Sequence, residues 1–274
     1  MLYKTDTLED INSYLNINRN AWNHKTSIHT HSEFYDMPSF KNGENSLKEI
    51  ELDLLGDVTD RFILHLQCHF GQDSMSLSRL GALVTGVDFS DEAINYAARL
   101  ADELHLDTQF VLSDVYDLKN HLAGQFDVVF TSYGVIGWLP DLDKWAEIIH
   151  HFLKPGGSLI MVEFHPVIWM FDNDFEKVAY SYFKDGQIVE KEQGSYADRN
   201  NTSEITTITW NHSLGEVLSS LLKQGLQVKD FREYDYSPYN CLNDMYESSP
   251  GKYRIKQFGH KIPMVYALKV GKPK

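Results

Sequence analysis

Between Arg61 and Asp88 the chain reads RFILHLQCHFGQDSMSLSRLGALVTGVD. Two short apolar runs, Arg61 to Leu66 and Leu83 to Val87, flank one amphipathic turn-and-helix segment. Apolar runs of this length bounded by turn residues predict strands buried on both faces. Met75, Leu77 and Leu80 predict a helix from Ser74 to Leu80, stopped by Gly81. A strand, a helical crossover and a second parallel strand form the smallest unit of an open α/β sheet. Ligands of such sheets bind at the carboxyl ends of the strands, here the Gln67 to Gly71 turn and Asp88.

The rest of the chain extends this pattern. Ser90 suits the N-cap of a helix from Ala93 to Leu104. Thr108 to Leu112 predicts strand three and leads to Ser113-Asp114-Val115-Tyr116. Phe126 to Thr131 predicts strand four, followed by Ser132-Tyr133-Gly134-Val135-Ile136-Gly137-Trp138. A helix from Asp141 to Phe152 ends at Lys154-Pro155-Gly156-Gly157, which predicts a sharp turn into strand five, Ser158 to Glu163. Beyond it, the Asp185-Gly186 pair predicts a hairpin of Val178 to Phe183 with Gln187 to Glu190. Ser203 to Trp210 is a further β-like run. Ser213 and Glu216 open a helix from Leu214 to Gln224. Leu226 to Glu233 and Met264 to Lys269 predict strands six and seven, with a loose aromatic stretch from Tyr234 to Gly259 between them. Ahead of strand one, Thr7 to Ile17 (through Leu8, Ile11 and Leu15) and Leu47 to Leu55 predict helices. The polar segment His24 to His31 lies between them.

The chain from Arg61 to Ile94 resembles the first two motifs of class I S-adenosylmethionine-dependent methyltransferases. LHLQCHFGQDSMSLSRLGA, TSYGVIGWLPDL and KPGG…EFHP also resemble the signature of a bacterial subgroup of these enzymes. The resemblance implies a doubly wound, Rossmann-like, seven-stranded sheet, mostly parallel with the last strand antiparallel, and helices on both faces. It also implies a helical cap over residues 1–57. The domain that binds S-adenosylmethionine would then span 58–274, with a β insertion at about 166–210 acting as a lid. A helical pair packed on the sheet edge is the plainer reading of 1–57. The resemblance further implies that Asp88, followed by Phe89-Ser90, takes the two ribose hydroxyls of the cofactor. Asp114 would accept from the adenine amino group, flanked by Val115 and Tyr116. Ser132, Tyr133, Gly134 and Trp138 would lie by the methionine half. In the first loop the family pattern is roughly D-x-G-x-G-x-G, where this chain has His65, Gln67, His69 and Gly71. Gln67, Cys68 and Gly71 are still expected to touch the cofactor.

The expected reaction is in-line transfer of a methyl group from the sulfonium to a small-molecule acceptor, which demands positioning more than acid–base chemistry. Should the acceptor have a proton to lose, His165, just past strand five, is the first choice of base, with His212 and Tyr133 next. A protein that binds S-adenosylmethionine or S-adenosylhomocysteine without transferring methyl is the alternative. His65, Cys68 and His69 are zinc-ligand types, but they lie on a strand and on adjacent loop positions, so no metal is expected. A nicotinamide site is disfavoured, because the G-x-G-x-x-G spacing is absent.

Composition bounds the partners. A net charge of −14 makes the chain a poor match for nucleic acid. Two cysteines, Cys68 and Cys241, do not make a disulfide framework. The N-terminus shows no apolar signal core and no run is long enough to span a bilayer, so a cytoplasmic protein without membrane contact is expected. The oligomeric state is left open.

Overall fold

The structure is a computed structural model that describes residues 11–274, with side chains from Tyr14 onward. In chain order its elements are α1 (Ile11–His29), α2 (Met37–Lys41), α3 (Glu49–Leu55), β1 (Phe62–Leu66), α4 (Gln72–Arg79), β2 (Leu83–Asp88), α5 (Asp91–Glu103) and β3 (Gln109–Leu112). They continue with β4 (Phe126–Ser132), α6 (Leu142–Phe152), β5 (Leu153–Phe164), β6 (Ile188–Gln193), β7 (Glu204–Thr209), α7 (Leu214–Lys223), β8 (Gln227–Tyr234), β9 (Met245–Ser249), β10 (Lys252–Ile255) and β11 (Val265–Gly271).

Seven strands form one sheet in the order β3-β2-β1-β4-β5-β11-β8. β1 to β5 are mutually parallel, and β11 runs antiparallel to both β5 and β8. The fold is therefore the expected Rossmann-like one, with its order reversing between β1 and β4. One face of the sheet is covered by α6, α7 and the short turn after β3, around the fully buried Trp145, Phe152 and Leu221. The other is covered by α3, α4 and α5, around Ile50, Leu77, Phe130 and Leu100. Ser90 and Ser213 each cap their helix by accepting a backbone N–H, as their positions in the sequence predict, and Asp141, read as the first residue of its helix, caps α6 in the same way.

Four expectations need correction. The Lys154 to Gly157 segment is not a turn that precedes β5. It is the irregular start of β5 itself, with Leu153 paired to Phe126 and Gly156 N donating to Lys272 O. The Asp185-Gly186 hairpin is also absent: β6 pairs antiparallel with β7, and Val178 makes only an isolated bridge to Phe171. The β-branched run of β7 buries Ile205, Thr207 and Ile208, and this burial outweighs the local turn signal. The stretch from Tyr234 to Gly259 holds a hairpin of β9 and β10. The first helix runs through His24 to His29, and the start assigned to it at Thr7 lies outside the described residues.

The N-terminal helices sit on the rest of the molecule rather than apart from it. α3 packs on β5, and α1 packs on both α5 and β7. Arg19 of α1 donates to Phe89 O (3.1 Å), and Asn23 donates to Asp91 Oδ1 (2.8 Å). α1 is thereby held over the ends of β1 and β2.

Candidate active site

The turn between β1 and α4 retains a glycine-loop backbone with a single glycine, Gly71. Gln67, His69 and Gly71 have φ of 55°, 53° and 81°, alternating with residues of ordinary φ. Non-glycine residues carry strain in this region, on the order of 1–2 kcal/mol each. The surroundings hold it. Gln67 Nε2 donates to Val135 O (2.8 Å), and His69 N donates to Asp88 Oδ2 (2.8 Å). At Gly71 the glycine is required sterically as well, because a Cβ there would lie 2.5 Å from the Phe110 ring.

Asp88 ends β2 and is 7% exposed. Its second oxygen accepts from Ser90 N (2.9 Å). Burial lifts its carboxyl to about 6, against the backbone donors that favour its charge. Each oxygen accepts one protein hydrogen bond and so has capacity left for another donor.

Beside Asp88 opens a cavity of about 1090 Å³, roofed by α1 and by the β6–β7 segment. Of the residues singled out from sequence, it is lined by Gln67, Cys68, Gly71, Asp88, Phe89, Ser132, Tyr133, Gly134 and Trp138, together with His212. Asp114 and Val115 line a second, small hollow of about 20 Å³ against Tyr14, Leu15 and Asn18 of α1. Gln67, Asp88, Phe89 and Trp138 line both, so the two spaces adjoin. Asp114 also caps the following turn by accepting from Tyr116 N (2.7 Å).

Three expected site residues point elsewhere. The Tyr116 hydroxyl donates to Asp141 O and accepts from Asp141 N, both at 2.9 Å, which fixes the ring against α6 and outside both spaces. Ser90 is fully buried, capping α5 and donating to Asn23 Oδ1 (2.6 Å). His165 does not face the cavity: Val167 N donates to its Nδ1 (3.2 Å), and its Nε2 donates to Glu233 on β8 (2.9 Å). His212 does line the cavity, but its Nε2 is committed to Leu139 O (2.8 Å).

Several residues at the site were not singled out from sequence. Glu163, at the end of β5, is buried and accepts from the backbone N–H groups of Gly134, Val135 (2.8 Å), Ile136 (3.2 Å) and Phe164 (2.7 Å). It organises the loop after β4, and burial raises its carboxyl to about 7. The signal was visible, since an acid ending an apolar strand is what drew attention to Asp88. Glu51 of α3 accepts from the Tyr133 hydroxyl (2.8 Å), and burial, helped by the charge of Asp73, lifts it to about 7. Lys25 of α1 is 4% exposed, with Nζ 5.4 and 5.2 Å from the Trp22 and Trp138 ring centres and 3.7 Å from Glu192 of β6. Burial lowers its pKa, and Glu192 acts in the opposite direction. Tyr35 and Tyr196 share a hydroxyl–hydroxyl bond of 2.5 Å across the roof.

Among the described residues no three His, Cys, Asp or Glu side chains gather as a metal site. His65 bonds to Ser74 Oγ (2.8 Å), while the Cys68 thiol points to His69 O (3.6 Å). Among the same residues no helix is long and apolar enough to cross a membrane.

Residues 63–157 match a family model described as a methyltransferase domain. An uncharacterized methyltransferase of Synechocystis sp. is 28% identical over 131 residues, which cover 47% of this chain and 59% of the relative. A ubiquinone biosynthesis O-methyltransferase of Xanthomonas oryzae is 29% identical over 120 residues, 43% of this chain and 50% of the relative. The chain thus spans little more than half the length of the curated relatives it matches. An S-adenosylmethionine dependent methyltransferase from Mesorhizobium loti superposes with a TM-score of 0.57 at 16% identity, covering 84% of this chain and 99% of that one, a likeness of fold.

Proposed function

We propose that this chain is an S-adenosylmethionine-dependent methyltransferase acting on a small molecule. The observation that carries the reading is the pairing of Asp88 with the left-handed loop at Gln67, His69 and Gly71. The loop lines the cavity, and side chains at Gln67 and His69, where a pyrophosphate-binding loop carries glycines, suit a cofactor without phosphates.

The residues present fit that cofactor. Asp88 has one free acceptor position on each oxygen for the two ribose hydroxyls. Asp114 and Val115 wall the adjoining hollow, which would take the adenine, and Gln67 Oε1 is a buried acceptor with no partner in the protein. The hollow has room for about one water, so Tyr14 and Leu15 must move aside to admit a base. When bound, the cofactor supplies a methyl group on a sulfonium. The chain's part is to bind, to orient and to exclude water. Glu163 fixes the Gly134 to Ile136 backbone, the Trp22 and Trp138 rings line the cavity, and α1 with β6 and β7 closes the site from above. The cavity volume lies just above the usual range for small-molecule sites.

The test is calorimetric titration with S-adenosylmethionine, S-adenosylhomocysteine and NAD, for the wild type and for Asp88→Ala. The expected result is binding of the first two alone, weakened at least about tenfold by the substitution. Unchanged affinity in a folded variant would remove Asp88 from the site. Transfer of a labelled methyl group to an acceptor separates the enzyme from a protein that only binds.

A further inference from the structure

Asp73, in the first turn of α4, lines the cavity. It accepts from Ser46 Oγ (2.7 Å) and from Ser132 Oγ at the end of β4 (3.2 Å). Among the described residues no Lys, Arg or His lies within ion-pair distance of it, although ion pairs occur widely elsewhere in the molecule. A carboxylate beside a cavity without a counter-charge costs stability in the ligand-free protein. That arrangement becomes favourable once a cation binds between Asp73 and the solvent.

His65 supplies a second, independent observation in the same corner. Its ring is 1% exposed and lines the cavity. Nδ1 is bonded to Ser74, next to Asp73 in the chain, and Nε2 has no partner in the protein. Burial lowers the imidazole to about 4, so it is neutral near pH 7 and carries no charge of its own. The corner therefore offers a carboxylate without a cation, two hydroxyls and one open imidazole position. An ammonium group, with three N–H donors, matches this set. A sulfonium has no donor and would not use it.

We propose that Asp73 is the counter-charge for the α-ammonium group of the cofactor's amino-acid end, with His65 Nε2 completing that corner. Asp73 is thereby the acid of this corner, in a chain whose loop has His65 where the common pattern has an acid. The proposal rests on the S-adenosylmethionine reading above. It assigns the ammonium to the helix after the loop.

The test is a cycle of ligand and protein changes measured by calorimetry. The ligands are S-adenosylmethionine, S-adenosylhomocysteine and the deaminated analogue of S-adenosylhomocysteine, which keeps the carboxylate. The wild type is expected to bind S-adenosylhomocysteine at least about tenfold tighter than its deaminated analogue. Asp73→Asn should weaken S-adenosylmethionine and S-adenosylhomocysteine alike by that factor, and leave the deaminated analogue within about twofold of wild type. The analogue thus reports that the variant's site is folded. The wild-type comparison of the two thioether ligands needs no variant at all. Equal binding of those two ligands to the wild type overturns the proposal. So does a loss confined to S-adenosylmethionine, which would put Asp73 at the sulfonium instead. Failure of the wild type to bind S-adenosylmethionine or S-adenosylhomocysteine overturns the cofactor reading, and this proposal with it.

Discussion

The side-chain amide of Asn18 bridges the backbone of Ile208. Nδ2 donates to Ile208 O (2.8 Å), and Oδ1 accepts from Ile208 N (2.9 Å). Asn18 is 1% exposed and belongs to α1, whereas Ile208 belongs to β7, 190 positions later. A buried asparagine thus does for β7 what a neighbouring strand would do, and makes one roof of the N-terminal helix and the inserted hairpin.

Replacing Asn18 by Ala leaves a buried N–H and a buried C=O of Ile208 without partners. Chemical denaturation should show a loss of about 2 kcal/mol or more. Amide exchange of β6 and β7 should rise more than that of β1 to β5. Uniform exchange across the whole chain would mean that the roof is not a separate unit.

The buried carboxyl of Glu51 predicts a pH dependence. Its folded pKa, about 7, is raised above the ordinary value of 4.5. Its contribution to stability is therefore fully present below about pH 4.5 and is lost as pH rises through 7. Glu51→Gln keeps the shape and an acceptor for Tyr133 but cannot ionise. Thermal melts should show the variant gaining on the wild type between pH 5 and pH 8, by on the order of 1–3 kcal/mol. The buried histidines are common to both proteins and cancel in the comparison. A difference that does not vary with pH would show that Glu51 stays charged throughout.

The two kinds of residue in the loop should respond unequally. Gln67→Gly relieves a left-handed residue but loses the bond to Val135 O, so stability should change by no more than about 1 kcal/mol. Gly71→Ala places a methyl 2.5 Å from Phe110 at a φ of 81° and should cost about 2–4 kcal/mol. Comparable losses in both variants would mean that the Gln67 side chain, rather than the loop backbone, is what the fold needs.

His165 is bonded to Glu233 and Val167 outside the cavity. His165→Ala should therefore leave the affinity for S-adenosylmethionine within about twofold of wild type, while lowering the melting temperature through the buried bonds it loses. A selective loss of affinity without a change in melting would return His165 to the site.

The path from β1 to α5 was legible in the sequence because its signals are local. Buried parallel strands read as apolar runs, Ser90 caps the helix it precedes, and Asp88 stands where an apolar strand stops. The roof was not legible, for the opposite reason. α1 continues through Lys25, Thr26 and His29, polar residues that are buried, so helical periodicity of apolar residues does not reveal its length. The partner of β6 was misread because an Asp-Gly turn is a strong short-range signal, while β7 lies beyond an intervening loop.

The sequence by itself determined the order of strands and crossovers, the single remaining glycine of the loop and the acid at the end of β2. Each follows from chain stiffness, local burial and the handedness of parallel crossovers, which act within a few tens of residues. Only the tertiary structure decided that Gln67 and His69 adopt the backbone of absent glycines, that Glu163 faces the loop while His165 turns from it, and that Asp73 stands without a cation. These depend on which buried polar group meets which partner when distant segments close on one another, and desolvation makes each such meeting specific.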